Sequence, residues 1–382
     1  MKKLVVIPSE EIQEYIDKGH TRLREYYNPG GYFNEVYLLS PKEKFAREQF
    51  GMKIIPVSSA RDYAKKIESI KPDIVRAYGG YWANLYANKY TPENYPVLVS
   101  LHDTDPLICF DFIRYSSHVI CMTGAVKRLA ISKGVLDSKI SILPNRVTLN
   151  DFRPNTSFSE EWKIFQNEKY ILHIGRRGPQ KNLETVIKSL GLIPDEIKLI
   201  SIGQGDNSNY ESLAKKNNVL DRCIFIDSIR NDQISQFYSN AIAFVLPTRW
   251  EGFGVVFIEA ASCGVPIIAS NIAPINEMLK NGENALLVDN FDSYIEISKA
   301  INYLLSNNSL RSKLSVEGIK LSKRYERESV NKLEIEIYKK VISEFTCRVR
   351  PNNIFSFSKS IKSIISYSVY RVRNKINKVF FK

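Results

Sequence analysis

No run in this sequence approaches the ~18 consecutive apolar residues needed to span a bilayer. The opening "MKKLVVIPSEE" has too short an apolar stretch for a signal peptide and meets acids at once, so it reads as a first strand. Cysteine is scarce and scattered: Cys109, Cys121, Cys223, Cys263 and Cys347 stand singly, with no C-x-x-C pair. An odd, dispersed set within apolar segments reads as reduced core thiols in a cytosolic protein. Acid is absent from Arg348 to Lys382, where nine basic residues lie. Removing those nine charges from the net +13 leaves +4 for the other 347 residues. Basicity is thus a property of the tail, which argues against nucleic-acid binding by the body.

What is present is a long alternation. At 382 residues the chain exceeds one ordinary core, and its 44% hydrophobic, 25% charged composition is that of a globular protein. Short β-rich runs at 3–8, 35–40, 53–58, 73–78, 96–102 and 118–123 alternate with amphipathic segments. One of these is "SARDYAKKIESIKP", whose Tyr63, Ile67 and Ile70 share a helical face. The pattern restarts with runs at 170–175, 198–203, 223–227, 243–248, 266–270 and 285–289. Alternation of this kind predicts parallel sheets with helices on both faces. The polar segment 150–169 is the expected linker. The predicted fold class is α/β, two doubly wound Rossmann-like domains facing each other across a cleft, with ligands beyond the carboxyl ends of the strands. The expected bounds are 1–155 for the first domain and 165–327 for the second, then a returning helix at 328–345 and a tail at 350–382.

Two stretches of the second half carry chemistry. "GRRGPQKN" (175–182) follows a strand and opens a helix, placing Arg176 and Lys181 where backbone N–H groups already favour anions. A diphosphate there would meet one forked and one point-like cation; taken alone, the stretch reads more simply as a solvated basic loop. "RWEGFGVVFIEAASCGVP" (249–266) reads as a strand-end loop followed by a helix. Gly252 and Gly254 permit a tight turn and close ligand approach, and Glu251 precedes that turn. Glu259 lies among apolar residues and must find partners or shift its pKa. Vicinal sugar hydroxyls suit it as donors; capping of another segment or pairing with a lysine are the alternatives.

With E-G-F-G-x4-E, the following A-x-x-x-G-x-P-I-I-A-S and the upstream G-R-x4-K in register, the sequence resembles the family-4 retaining glycosyltransferases of GT-B fold. "LISIGQGD" (199–206), "FIDSIRNDQISQFYSNAIAFVLPT" (225–248) and "VICMTGAVKRLAISKGVLDSKISILPNRVTLNDFRP" (119–154) extend the likeness over roughly residues 96–345. The resemblance implies that Arg176 and Lys181 bind the donor's diphosphate and stabilise its leaving charge. It implies that amides of Gly252, Phe253 and Gly254 face the phosphates or donor sugar, with Gly203 in the neighbouring Gly-rich loop. By the same resemblance Glu251 holds donor-sugar hydroxyls, Glu259 receives the ribose, and Arg230 lies where the family reads the base. His102, ending a first-domain strand, is a candidate catalytic group. The adjacent "DTD" (103–105) superficially matches a metal-binding motif, but the resemblance implies no metal and no cofactor beyond a nucleotide sugar, UDP- or GDP-linked, as co-substrate.

Two departures stand out. Pro144-Asn145-Arg146-Val147 has a bulky cation where the family has Gly, and the usual Gly-Gly loop after the first strand is replaced by residues 8–40. That insertion makes Lys18, Gly19 and His20, with Asp103, candidate acceptor contacts. In the tail, Ile354, Phe357, Ile361, Ile365, Val369, Val372, Ile376 and Val379 recur every three or four residues among Lys and Arg. A basic amphipathic helix of this kind can lie on an anionic membrane; packing on the body or on a partner chain is the alternative. The expected protein is a retaining, metal-independent hexosyltransferase at the cytoplasmic membrane face, acting on a glycan or lipid-linked acceptor in polysaccharide biosynthesis. A catalytically inactive scaffold anchored by its tail is the rival reading. An epimerase lacks this signature, and a glycan phosphorylase would need a pyridoxal-binding lysine motif.

Overall fold

A computed structural model of the chain describes residues 1–17, 22–349, 365, 368 and 369. Its described residues divide into two compact units, the first formed by residues 1–144 together with 328–349, the second by Asn145–Arg327.

The first unit holds β1 (Lys3–Ile7), β2 (Glu35–Ser40), β3 (Arg47–Gln49), β4 (Met52–Pro56), β5 (Ile74–Tyr78), β6 (Val97–Leu101), β7 (His118–Cys121) and β8 (Ile140–Ile142). They form one sheet in the order β3-β4-β2-β1-β5-β6-β7-β8, with only β3 antiparallel to its neighbour. Helices α1 (Ile12–Asp17), α2 (Leu23–Tyr27), α3 (Ala60–Ile70), α4 (Trp82–Tyr90) and α5 (Gly124–Ser132) connect the strands. Strand alternation sorts the core by face. Val5 and Ile7 pack with Tyr63, Ile67 and Ile70 of α3 on one side. Leu4 and Val6 face the other, where Val330, Tyr338 and Val341 of the chain's last long helix are buried. Each such aliphatic contributes roughly 1.5–3 kcal/mol relative to exposure.

The last helix is also held by charge. Arg76 of β5, 1% exposed, bonds Glu334 and Tyr338 of that helix and donates to Ser100 Oγ at 2.7 Å. Removing either charged partner would leave a buried charge uncompensated. Beyond the helix, Arg348 plugs a carbonyl-lined hole, donating to the oxygens of Thr91 (2.8 Å) and Tyr95 (3.2 Å).

The second unit holds β9 (Tyr170–Ile174), β10 (Lys198–Ile202), β11 (Cys223–Ile226), β12 (Ala243–Leu246), β13 (Ile267–Ser270) and β14 (Leu286–Val288). All neighbours are parallel, in the order β11-β10-β9-β12-β13-β14. Helices α6 (Leu183–Ser189), α7 (Ser208–Lys216), α8 (Ile234–Asn240), α9 (Val255–Ser262), α10 (Ile275–Met278), α11 (Tyr294–Ser306) and α12 (Asn308–Ser322) complete it, and α13 (Arg327–Glu344) is the last helix of the first unit. The polar segment expected as a linker lies along the second unit: Phe152 O accepts from Ser262 Oγ (2.6 Å) and Arg153 O from Ser239 Oγ (2.7 Å).

The strand order reverses between β9 and β12, whose sequence neighbours lie on opposite sides. The loops leaving these two strands therefore diverge and leave a crevice at the carboxyl edge of the sheet, the usual ligand position in open α/β sheets. These are the loops 175–182 and 247–254, which carry the two motifs.

Candidate active site

The ends of β9 and β10 are packed too tightly for side chains at Gly175 and Gly203. A Cβ on Gly203, at the end of β10, would lie 2.0 Å from the Gly175 carbonyl oxygen, and one on Gly175 would lie 2.7 Å from Lys181 Cγ. Glycine thus lets the Lys181 stem lie across the strand end. Asn182 follows in the left-handed conformation (φ 53°), fully buried. Its amide donates to the carbonyls of Pro247 and Phe291, each at 3.0 Å. The second loop answers with Arg249, which donates to Asn182 Oδ1 and Asp292 Oδ1, both at 2.8 Å, and to Glu184 Oε1 at 2.7 Å. Thr248 Oγ1 donates to Gln180 O (2.7 Å) and Gln180 Nε2 to Trp250 O (2.8 Å). The two loops form one cross-braced body.

Within that body Lys181 Nζ pairs with the Glu251 carboxylate, both side chains largely buried. Arg176 is exposed at the start of the same loop. Gly254 turns the chain into α9 with φ 84°, where a Cβ would meet the Phe257 ring at 2.7 Å. No side chain at Gly254 caps α9, and the Phe257 N–H donates to the Gly254 carbonyl at 3.0 Å. Phe253 is buried, edge-on to Tyr325 at 5.8 Å. Arg176, Lys181, Gly203, Glu251, Gly252, Phe253 and Gly254 are thus gathered at one strand-end region.

Glu259, just over one turn into α9, turns toward α8 and accepts from Tyr238 Oη at 3.0 Å. Burial pushes its carboxyl up to about 7 against the opposing effect of that hydrogen bond. Arg230 sits in solvent, forked onto Asp232 at 2.8 and 3.1 Å. His102 and Asp103 belong to the first unit, just beyond β6, with the His102 ring 6.0 Å from that of Tyr78. Asp103 Oδ1 accepts from the Asp105 amide (2.8 Å) and Asp105 Oδ1 from that of Leu107 (2.9 Å), so these acids serve a local turn. Lys18, Gly19 and His20 lie outside the described residues, as does almost all of the 350–382 tail.

Arg249, Asn182 and His173 did not emerge from sequence reasoning. A signal for His173 was present: "YILHIG" and "KLISIG" each break an apolar strand with one polar residue three positions from the start, and β9 and β10 pair His173 with Ser201.

Residues 155–321 match the family described as glycosyl transferases group 1. Over 287 residues the chain is 26% identical to the O-antigen chain mannosyltransferase RfbU of Salmonella typhimurium, covering 67% of this chain and 78% of that one. It is 30% identical over 235 residues to the UDP-Gal:alpha-D-GlcNAc-diphosphoundecaprenol alpha-1,3-galactosyltransferase of Escherichia coli, covering 56% and 59%. The chain spans little more than half the length of several curated relatives that it matches, 54% of one and 60% of another. The solved structure of Anabaena Alr3699/HepE in complex with UDP superposes with a TM-score of 0.73 at 18% identity, covering 89% of this chain and all of that one. The fold is that of the GT-B glycosyltransferases.

Proposed function

We propose that this protein is a retaining glycosyltransferase that moves a sugar from a nucleotide-sugar donor to a hydroxyl of a lipid-linked or cell-surface glycan precursor. The observation that carries this reading is the Lys181–Glu251 pair, set in cross-braced loops at the β9/β12 strand reversal of a group 1 domain. The relatives' substrates agree with it: one acts on O-antigen chains and another on a diphosphoundecaprenol-linked sugar.

In the proposed reaction, Arg176 and Lys181 hold the donor diphosphate, and Gly203 lets the end of β10 close on the start of their loop. Lys181 then exchanges part of its contact with Glu251 for a phosphate oxygen, freeing the carboxylate for donor-sugar hydroxyls. Amides at Gly252, Phe253 and Gly254 face the phosphates, Glu259 takes the ribose, and Arg230 reads the base. The bond from the anomeric carbon to the diphosphate breaks as that to the acceptor oxygen forms on the same face. The departing diphosphate oxygen takes the acceptor's proton. No side chain serves as nucleophile and no metal is required, because the two cations meet the charge that develops. His102 is the candidate catalytic group of the first unit, Lys18, Gly19, His20 and Asp103 are the candidate acceptor contacts, and the basic tail brings the enzyme to an anionic cytoplasmic membrane face.

Steady-state donor hydrolysis and transfer assays test this reading. Lys181→Ala and Arg176→Ala are each expected to lower turnover on the order of 10²-fold. Wild-type rates in both variants would remove the clamp, and absence of donor hydrolysis or transfer by the intact protein would favour the tail-anchored scaffold.

A further inference from the structure

We propose that His173 is a positioning residue of the diphosphate clamp, fixing the main chain of Lys181 through a one-way hydrogen-bond chain that starts at Arg177. The inference rests on the donor-site reading above and concerns residues that reading leaves unused.

His173 lies on β9 with no exposed surface, at a strand position where an aliphatic side chain would avoid burying two ring nitrogens. Both nitrogens have partners. Nε2 is 3.1 Å from the carbonyl oxygen of Lys181, and Nδ1 is 3.3 Å from Ser201 Oγ, directly across the strand pair. A carbonyl only accepts, so Nε2 carries the proton and Nδ1 accepts from the Ser201 hydroxyl. Ser201 Oγ in turn accepts from Arg177 Nη1 at 3.1 Å. Arg177 only donates, so the direction is set along the whole chain: Arg177 to Ser201 to His173 to the Lys181 carbonyl. Arg177 is itself held, donating from Nε to Asn207 Oδ1 (2.6 Å) and from Nη2 to Ser201 O (3.0 Å). Burial pushes the imidazole down to about 3, which keeps it neutral and preserves the tautomer.

The consequence falls on Lys181. His173 grips its carbonyl, the buried Asn182 fixes the next residue, and the stem lies against Gly175. Only the end of the side chain is left to move between Glu251 and a phosphate. Arg177, adjacent to the exposed Arg176, anchors the other clamp cation's segment through the same chain. The cost of ordering the clamp is thereby met in the fold rather than on donor binding.

The experiment measures calorimetric affinities of full-length protein for UDP, GDP and the corresponding monophosphates, in wild type, His173→Leu, His173→Gln and Ser201→Ala. Whichever diphosphate the wild type binds should bind about tenfold more weakly to His173→Leu, the size expected for one buried hydrogen bond. The monophosphate should change much less, so the diphosphate-to-monophosphate preference falls; a purely structural residue would leave that ratio unchanged. His173→Gln, whose amide N–H can reach the Lys181 carbonyl, should recover the preference to within about threefold. An unchanged ratio in a folded His173→Leu, or a glutamine variant no better than leucine, overturns the proposal. If the leucine variant does not fold, Ser201→Ala decides: a reduced preference supports the relay and an unchanged one overturns it. A wild type that binds neither diphosphate defeats the donor-site reading itself, a result distinct from variants that merely match it.

Discussion

Glu259 sits in an environment that works against its charge. Its carboxyl, moved from 4.5 to about 7 by burial, binds a proton in the folded state that the unfolded chain has released. The stability this contributes is complete below pH 4.5 and is lost as pH rises through 7. Glu259→Gln is therefore expected to melt higher than wild type above pH 7, by up to a few kcal/mol of stability, and to flatten the dependence between pH 4.5 and 7. Ribose hydroxyls donate, so they favour the ionised form, and donor affinity of the wild type should rise through the same interval while that of Glu259→Gln should not. Thermal melts and titration calorimetry across pH 5–8.5 check both signs. Lys181 and Glu251 were legible because each sits in a local motif with fixed spacing. Their contact, like the Arg249 strut, joins residues about 70 apart and appears only when β9 and β12 become neighbours.

At the scale of elements, strand cores were readable and strand ends were not. The run at 35–40 coincides with β2, whereas that at 243–248 stops at Leu246 because Pro247 and Thr248 turn into the loop braced by Asn182 and Gln180. Strands β3 and β8 escaped notice because three residues carry a signal only inside a longer apolar run, as β14 does within 285–289; β3 is the polar sequence Arg-Glu-Gln on an edge and β8 is Ile-Ser-Ile. Residues 8–40, which replace the family's glycine loop, contain α1 and α2, pinned by Trp82 Nε1 donating to Ser9 O at 2.8 Å. Glycine placement was legible as loop chemistry but not as close packing. Gly203→Ala would drive a methyl into the Gly175 carbonyl, separating the ends of β9 and β10. A loss of about 1–3 kcal/mol in denaturant unfolding, with weaker nucleotide binding, is expected. An unfolding midpoint equal to wild type would show that the strand ends are not packed as described.

For the whole molecule, α/β alternation was enough to give two sheet-containing units, since period-2 runs and helical faces are local signals. The placement of α13 on the first unit depends on the Arg76–Glu334 pair, whose members lie 258 positions apart. Among the described residues no helix is long and apolar enough to cross a membrane. Arg348, bound beside Thr91 and Tyr95, holds the chain on the first unit just before the tail. A chain ending at Phe345 is expected to lose cosedimentation with anionic liposomes; equal sedimentation of the full and shortened proteins would rule out the tail as the membrane contact.

The central claim is that Lys181 and its loop form a site for the diphosphate of a nucleotide sugar. A ligand at 100 times its Kd stabilises a protein by about 2.7 kcal/mol, enough to displace a melting transition by several degrees. The direct measurement is therefore the melting midpoint of wild type and Lys181→Ala with UDP and with GDP. One of the two nucleotides is expected to raise the wild-type midpoint, and most of that rise is expected to vanish in Lys181→Ala. No shift with either nucleotide, or an equal shift in the variant, would contradict that claim.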